Sequence, residues 1–547
     1  MKSILKSILS RKPNRRRSWT TFSLFSGFGG ETLGKQLALK ELGLAEQCTF
    51  WAINHWQVAI ETLKRNFPHA LTFCEDITQV DALGIGIDRI DLLWASPSCT
   101  HHSNARGGKP RDDQQRAHAT EVYERWIRQC DVPVFVLENV REFLSWGPLD
   151  PFGRPIRERK GEYFRDFVAK LKKSGYTVEW RILCAADYGD PTTRKRLFLI
   201  AVKDGQGIPW PKPTHRDPSV PLEKLPPPQR TLPVWKSAAD HVIDWSIPGR
   251  SIYYRTTARG NPAPLASDTI RRIRHGLIKY GLKGYFEDQS QRSPSMALID
   301  PESFLMCYHG GPGAANRICS ADDVLPTLDC SNRFGLVRPM ISKSFGPRCT
   351  CPSSGLQRPL PSLTTVDHNH LCQPFILRSD NTGGTIQGRL LDRPVSTIVS
   401  KACHHFIQPY FIEYYGASYS QPTWNPLPTV TTKDRHGLVD LVVRHEGAVQ
   451  NLPVVRTAAD IEAHDFSRPF CVEIAGDRLL VDITLRMLEP RELARAMGFP
   501  ESFRLDRIVQ GQTLPLSKKD ATKMIGNACP VNTVKEIIKA VLKPRLS

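Results

Sequence analysis

Residues 91–103 read DLLWASPSCTHHS, a run of apolar strand formers that breaks abruptly into Ser-Pro-Ser-Cys. An apolar strand ending in such a turn places one thiol, Cys99, at the carboxyl edge of a sheet, where open α/β sheets bind their ligands. Taken alone, this thiol has an ordinary alternative, because cysteine is among the residues most often buried and inert. The segments on either side decide between the two.

From Trp19 to about Val202 short apolar runs (TFSLF, CTFWAIN, IDLLWAS, VPVFVLEN, YTVEWRIL, RLFLIAV) alternate with helix-like stretches such as GGETLGKQLALKELG and GEYFRDFVAKLKKSG. That rhythm predicts an α/β fold with a doubly wound, mostly parallel sheet over residues 19–203. A Pro-rich passage at 208–228 marks a boundary. The region from about 300 to 440 carries an internal repeat. LPTLDCSNRFGLVRP around Thr327 resembles the stretches around Ser362, Thr397 and Thr429, each a Thr/Val run followed by a basic or His-bearing turn. Such self-similarity predicts a second, β-rich domain. The chain ends in KMIGNACPVNTVKEIIKAVL, whose latter half has helical periodicity.

At 547 residues two or more domains are expected. The net charge of +19 points to a polyanionic partner, nucleic acid first, although a basic soluble enzyme fits composition equally well. Fourteen scattered cysteines suit a reducing cytoplasm better than a disulfide scaffold. No stretch approaches the ~18–20 apolar residues of a membrane span. Residues 1–18 are basic, without the apolar core of a signal peptide, and read as a disordered tail.

Seven motifs, in one order along the chain, resemble those of the DNA (cytosine-5) methyltransferases of bacterial and phage type. FSLFSGFGG is similar to the family's cofactor loop and CEDI to its adenine-contacting segment. ASPSCTHHS is similar to the nucleophile loop, LENV to the acid strand and YGDPTTRKRLFLIA to the Arg-bearing strand. PRELARAMGFP resembles the hinge segment and IGNACP the returning cofactor motif. The resemblance covers roughly residues 20–202 and 484–543. It implies a catalytic domain at 19–203 completed by 515–547, and a target-recognition region at 204–514 with a hinge segment at about 484–503.

The resemblance implies S-adenosyl-L-methionine as cofactor, held by Phe25, Gly27, Gly29, Gly30, Asn54, His55, Asp76, Ile77, Pro97 and Asn527. Glycines let the backbone approach a ligand closely, and a helix N-terminus favours an anionic group. Asn54 stands where the family carries an acidic residue for the ribose, so that contact lacks its charge. An ordinary helix cap is the plain alternative for Asp76. The implied catalytic set is Cys99, Glu138, Arg194 and Arg196. C5 of cytosine is too unreactive to be methylated unaided. A thiolate adds to C6, charge moves toward N3, and a positioned carboxyl must hold a proton there. Arg194 and Arg196 alternate, so both would face one side of a strand and hold the cytosine ring oxygen and a phosphate. Ser98, Thr100 and Thr192 depart locally from the family pattern.

A base inside a duplex cannot reach a thiol in a pocket, so the target must be flipped out. The implied partner is double-stranded DNA, with a cognate restriction endonuclease as a further one. The chain is expected to be a monomer in the cytoplasm of a prokaryotic or phage-infected cell. RNA methylation and a silent DNA-binding relic are the alternatives. Amino-group methylation would require an Asp/Asn-Pro-Pro-aromatic loop where this chain has Ser-Pro-Ser-Cys. His368-Asn369-His370 spells a nuclease motif but falls at a recurring turn of the repeat. Cys349 and Cys351, with His368, His370 and Cys372, lack the usual zinc spacing, so no metal site is expected.

Overall fold

The computed structural model describes residues 19–99, 101–102, 111–247, 249–257, 259–278, 282, 452–474 and 477–546, together with the backbone of strands between 304 and 444. The N-terminal tail, Thr100, the repeat anchors Thr327, Ser362, Thr397 and Thr429, and the Cys349–Cys372 cluster lie outside the described residues. Two compact units emerge, one formed by Met1–Trp235 with Ala494–Ser547 and the other by Lys236–Leu493.

The first unit is built on a seven-stranded sheet in the order β3-β2-β1-β4-β5-β7-β6. Its strands are β1 (Trp19–Leu24), β2 (Cys48–Ile53), β3 (Leu71–Phe73), β4 (Leu92–Ala95), β5 (Val134–Asn139), β6 (Thr177–Cys184) and β7 (Lys195–Val202). Strands β1 to β5 pair in parallel, while β7 runs antiparallel to both β5 and β6. The mostly parallel, doubly wound sheet predicted from the apolar rhythm is therefore present.

The runs are apolar without alternation because both faces of the sheet are covered. Leu93, Ala95, Phe135 and Leu137 belong to one core cluster, and Leu92, Trp94, Val134 and Val136 to the other. Helix α1 (Gly30–Glu41) starts from Gly29, whose φ of +108° favours glycine. A Cβ at Gly29 would lie 2.6 Å from the Phe67 ring. The last helices are α4 (Lys518–Asn527) and α5 (Val531–Leu542), with α2 (Gln57–Asn66) and α3 (Glu162–Lys173) between. Gly34 lets α1 and α5 meet, since a Cβ there would sit 2.7 Å from the Val531 carbonyl oxygen. The C-terminal helix thus packs beside the element that follows β1.

A buried carboxylate locks this return. Asp190 accepts from the Asn532 and Thr533 backbone N–H groups at 3.0 Å, and from Asn532 Nδ2 and Thr533 Oγ1 at 2.9 Å. It satisfies orphan donors at the start of α5 that would otherwise be buried.

The unit boundaries differ from the sequence expectation of 203 and 515. The Pro-rich stretch does not end the first unit, because Thr214 and His215 donate backbone N–H groups to the Asp187 carbonyl and Trp235 Nε1 donates to its carboxylate at 3.0 Å. On the return side, Phe499 packs tilted and Phe503 edge-on against Phe28, with centroids 5.0 and 5.4 Å away, and Arg65 pairs with Asp506 at 2.8 Å. Residues from Ala494 onward therefore belong with the first unit.

In the second unit the strand His436–Arg444 pairs antiparallel with Asp477–Met487, which pairs with Phe470–Ile474. Short antiparallel pairings also join Phe375–Arg378 to Gln387–Leu390 and to His404–Phe406. A buried bidentate pair, Arg486 with Glu492 at 2.9 Å for both contacts, organises the end of this unit. No helix among the described residues is long and apolar enough to cross a membrane.

Asp190→Ala strips four acceptor contacts from the head of α5, with an expected loss of about 2–4 kcal/mol. Urea unfolding of the two proteins measures it, and unchanged stability would contradict the locking role.

Candidate active site

The topological switch of the sheet lies between β1 and β4, where open α/β sheets place their ligands. The loop after β1 carries Phe25, Gly27, Gly29 and Gly30, and the loop after β4 carries Pro97, Ser98 and Cys99. Phe25 adopts φ +61°, a strained value for a residue with a side chain. Gly27 also lies in the left-handed region, at φ +54°, and a Cβ there would meet nothing within 4 Å. A Cβ at Gly30 would lie 2.9 Å from the Cys529 carbonyl oxygen, so the loop nests against the returning chain end.

Glu138 is the penultimate residue of β5 and is buried. Its Oε1 lies 3.3 Å from Arg196 Nε. Burial pushes its pKa above the usual carboxylate value, while Arg196, Arg194 and a hydrogen bond from the Cys529 thiol oppose the shift. Cys529 Sγ also lies 3.4 Å from Ser96 Oγ. Arg194 and Arg196 are both buried, and Arg194 Nη1 donates to the Gly526 carbonyl at 3.2 Å. Arg194 stands just before β7, not within it. The acid, both arginines and the Gly-Asn-Ala-Cys segment are thus brought together.

Cys99 is half-buried, four residues past the end of β4. Its turn is tied to the acid strand through Asn139, whose Nδ2 donates to the Pro97 carbonyl at 3.0 Å while its Oδ1 accepts from Val140 N–H at 2.8 Å. Asn139 has a positional role that its place in LENV does not announce. An amide directly after the candidate acid Glu138 is the hint that the sequence offers.

The remaining pocket residues are placed as follows. Asn54 follows β2, and its Oδ1 accepts from Trp56 N–H at 2.8 Å, while His55 is exposed. Asp76 caps the turn Ile77–Gln79, accepting at 2.8 Å from both Thr78 N–H and Thr78 Oγ1, and these bonds hold its carboxyl below the usual range. Ile77 is buried, and Asn527 is exposed at the last residue of α4. His118 was not foreseen. Its ring stands 5.4 Å from that of Phe25, and electrostatic coupling to Asp76 and His55 places it in the same corner. Glycine-lined backbone, a projecting aromatic ring and polar groups beyond β2 and β3 fit an adenosyl group with a charged amino-acid tail.

A family model described as C-5 cytosine-specific DNA methylase matches residues 19–242 and 437–543. The chain is 29% identical over 207 residues to the type II methyltransferase M.SacI of Streptomyces achromogenes, covering 35% of this chain and 50% of that protein. It is 29% identical over 201 residues to M.AgeI of Thalassovita gelatinovora, covering 36% and 42% respectively. With M.DdeI of Desulfomicrobium norvegicum it shares 27% identity over 288 residues, 49% of this chain and 63% of the relative. The chain spans about half the length of the curated relatives it matches.

Removing the Asn139 tether should loosen the 96–99 turn by about 1 kcal/mol. Asn139→Ala is expected to speed amide exchange there roughly fivefold, with β4 unaffected. Unchanged exchange at 96–99 would refute the tether.

Proposed function

Because the chain belongs to the C-5 cytosine-specific DNA methylase family, we propose that it methylates C5 of a flipped-out cytosine within a specific duplex DNA sequence. The observation that carries this reading is the buried Glu138 carboxyl paired with Arg196 beside the segment that positions Cys99. Phe25, Gly27, Gly29, Gly30, Asn54, His55, Asp76, Ile77, Pro97 and Asn527 would hold S-adenosyl-L-methionine, which supplies an electrophilic methyl group when bound.

The Cys99 thiolate attacks C6 and forms the S–C6 bond, and the ring electrons shift toward C5 and N3. Glu138, whose burial favours the protonated acid, donates a hydrogen bond at N3 as charge gathers there. Arg196 and Arg194 keep that acid oriented and offer donors to the ring oxygen and an adjacent phosphate. C5, made nucleophilic, would then accept the methyl group as its bond to the sulfonium sulfur breaks, with S-adenosylhomocysteine as the leaving group. Loss of the C5 proton to a base then expels the thiolate and restores the aromatic ring.

Lifting the base out of the duplex is required by the depth at which these groups sit. The second unit is the region for sequence choice, and the net charge of +19 suits phosphate contacts that position without specifying. We place the enzyme in the cytoplasm as a monomer, within a restriction-modification system.

Incubation of unmethylated DNA with labelled S-adenosylmethionine, followed by sequencing of 5-methylcytosine, tests the reading. Wild type should label one sequence context, and Cys99→Ala should label none while still binding DNA. Labelling by the alanine variant, or at adenine or RNA alone, would refute it. DNA affinity should also fall steeply between 50 and 200 mM salt, by about 10³-fold or more for six or more phosphate contacts. A flat response would contradict the phosphate role.

A further inference from the structure

The turn that bears Cys99 closes on a side chain with no part in the chemistry above. His102 donates its backbone N–H to the Cys99 carbonyl at 3.0 Å. The residue is only 2% exposed. Its ring stands edge-on to Phe143, with centroids 4.9 Å apart, and to Trp146 at 5.8 Å. Phe143 lies in the 3-10 turn Arg141–Ser145 and Trp146 directly follows it, so both rings come from the segment just after Glu138 and Asn139.

The ring also hydrogen-bonds the Arg116 backbone, while Nδ1 meets no partner among the described residues. Among the described residues, the titratable groups coupled to it, Arg116, Arg111 and His101, are all basic. Together with burial, which is the larger cause, they push the imidazole down to about 3. The ring is therefore a neutral aromatic wedge at any working pH, not a proton carrier.

We propose that His102 is a positioning residue for the nucleophile, its caged ring fixing the Cys99 turn against the segment that follows Glu138. This rests on the methyltransferase reading above. The thiol sits between two anchors that lead to the same strand end. Asn139 grips the Pro97 carbonyl before it, and His102 is held by Phe143 and Trp146 after it. The Asn139 bond fixes the residues that precede the thiol. A second, apolar anchor three residues beyond the thiol holds those that follow it. Displacement of a reacting atom by ~1 Å costs on the order of 10²-fold in rate.

DNA amplified with 5-fluorodeoxycytidine triphosphate captures such an enzyme covalently, because fluorine at C5 cannot leave as a proton does. Capture rates in the presence of S-adenosylmethionine, and kcat and KM on unmodified DNA, are compared for wild type, Cys99→Ala, His102→Ala and His102→Phe. His102→Ala should lower capture and kcat together by about 10²-fold, with both KM values unchanged. His102→Phe, which refills the cage, should recover most of the rate. Wild-type capture by His102→Ala, a loss in KM alone, or no rescue by phenylalanine would each overturn the proposal. Should the alanine variant not fold, His102→Leu is judged by the same criteria. If wild type itself forms no adduct, it is the methyltransferase reading that fails.

Discussion

A carboxyl group taken out of water at the end of an apolar strand is the constraint that organises the first unit. Burying the ionised form of Glu138 carries a penalty of several kcal/mol unless partners surround it. Those partners are Arg196 in β7, Arg194 just before it, and Cys529 from the far end of the chain. The site therefore exists only when residues some 390 positions apart in sequence are folded together. Asp190 supplies that closure by capping α5, and Gly34 permits α1 and α5 to approach.

The same arrangement explains how the thiol is controlled. Cys99 lies on a loop, and loops are the mobile parts of a fold. Here the loop follows a central strand and is held at Pro97 by an amide that neighbours the acid itself. The turn is thus held by Asn139, the residue of β5 that directly follows the buried Glu138. A displacement of β5 would disturb the turn and the acid at once.

Much of this was legible in the residues. Strands β4, β5 and β7 were readable because a sheet covered on both faces leaves nearly uninterrupted apolar runs, and the resemblance of the motifs at the ends of those runs singled out Cys99, Glu138, Arg194 and Arg196. What escaped reading depends on long-range hydrogen bonds that leave no local pattern. The Pro-rich stretch at 208–228 looks like a linker, yet Asp187, in the turn after β6, binds Thr214 and His215 within it and Trp235 beyond it. Lys35 lies in the helix-like stretch GGETLGKQLALKELG, where a lysine ordinarily faces water, yet it is buried against Ser23, with its pKa lowered to about 8 by desolvation. Asn54 and Asp76 show the converse: short polar side chains form local turns readily, and both do so here.

The central claim is that Cys99 bonds to a cytosine held against Glu138. Mass spectrometry of peptides from enzyme captured on 5-fluorocytosine DNA examines it most directly. The account predicts a single modified peptide, the one containing Cys99, and none when Glu138 is replaced by alanine. A modified peptide bearing any other cysteine, or full methyl transfer by a protein whose Cys99 stays unmodified, would contradict it.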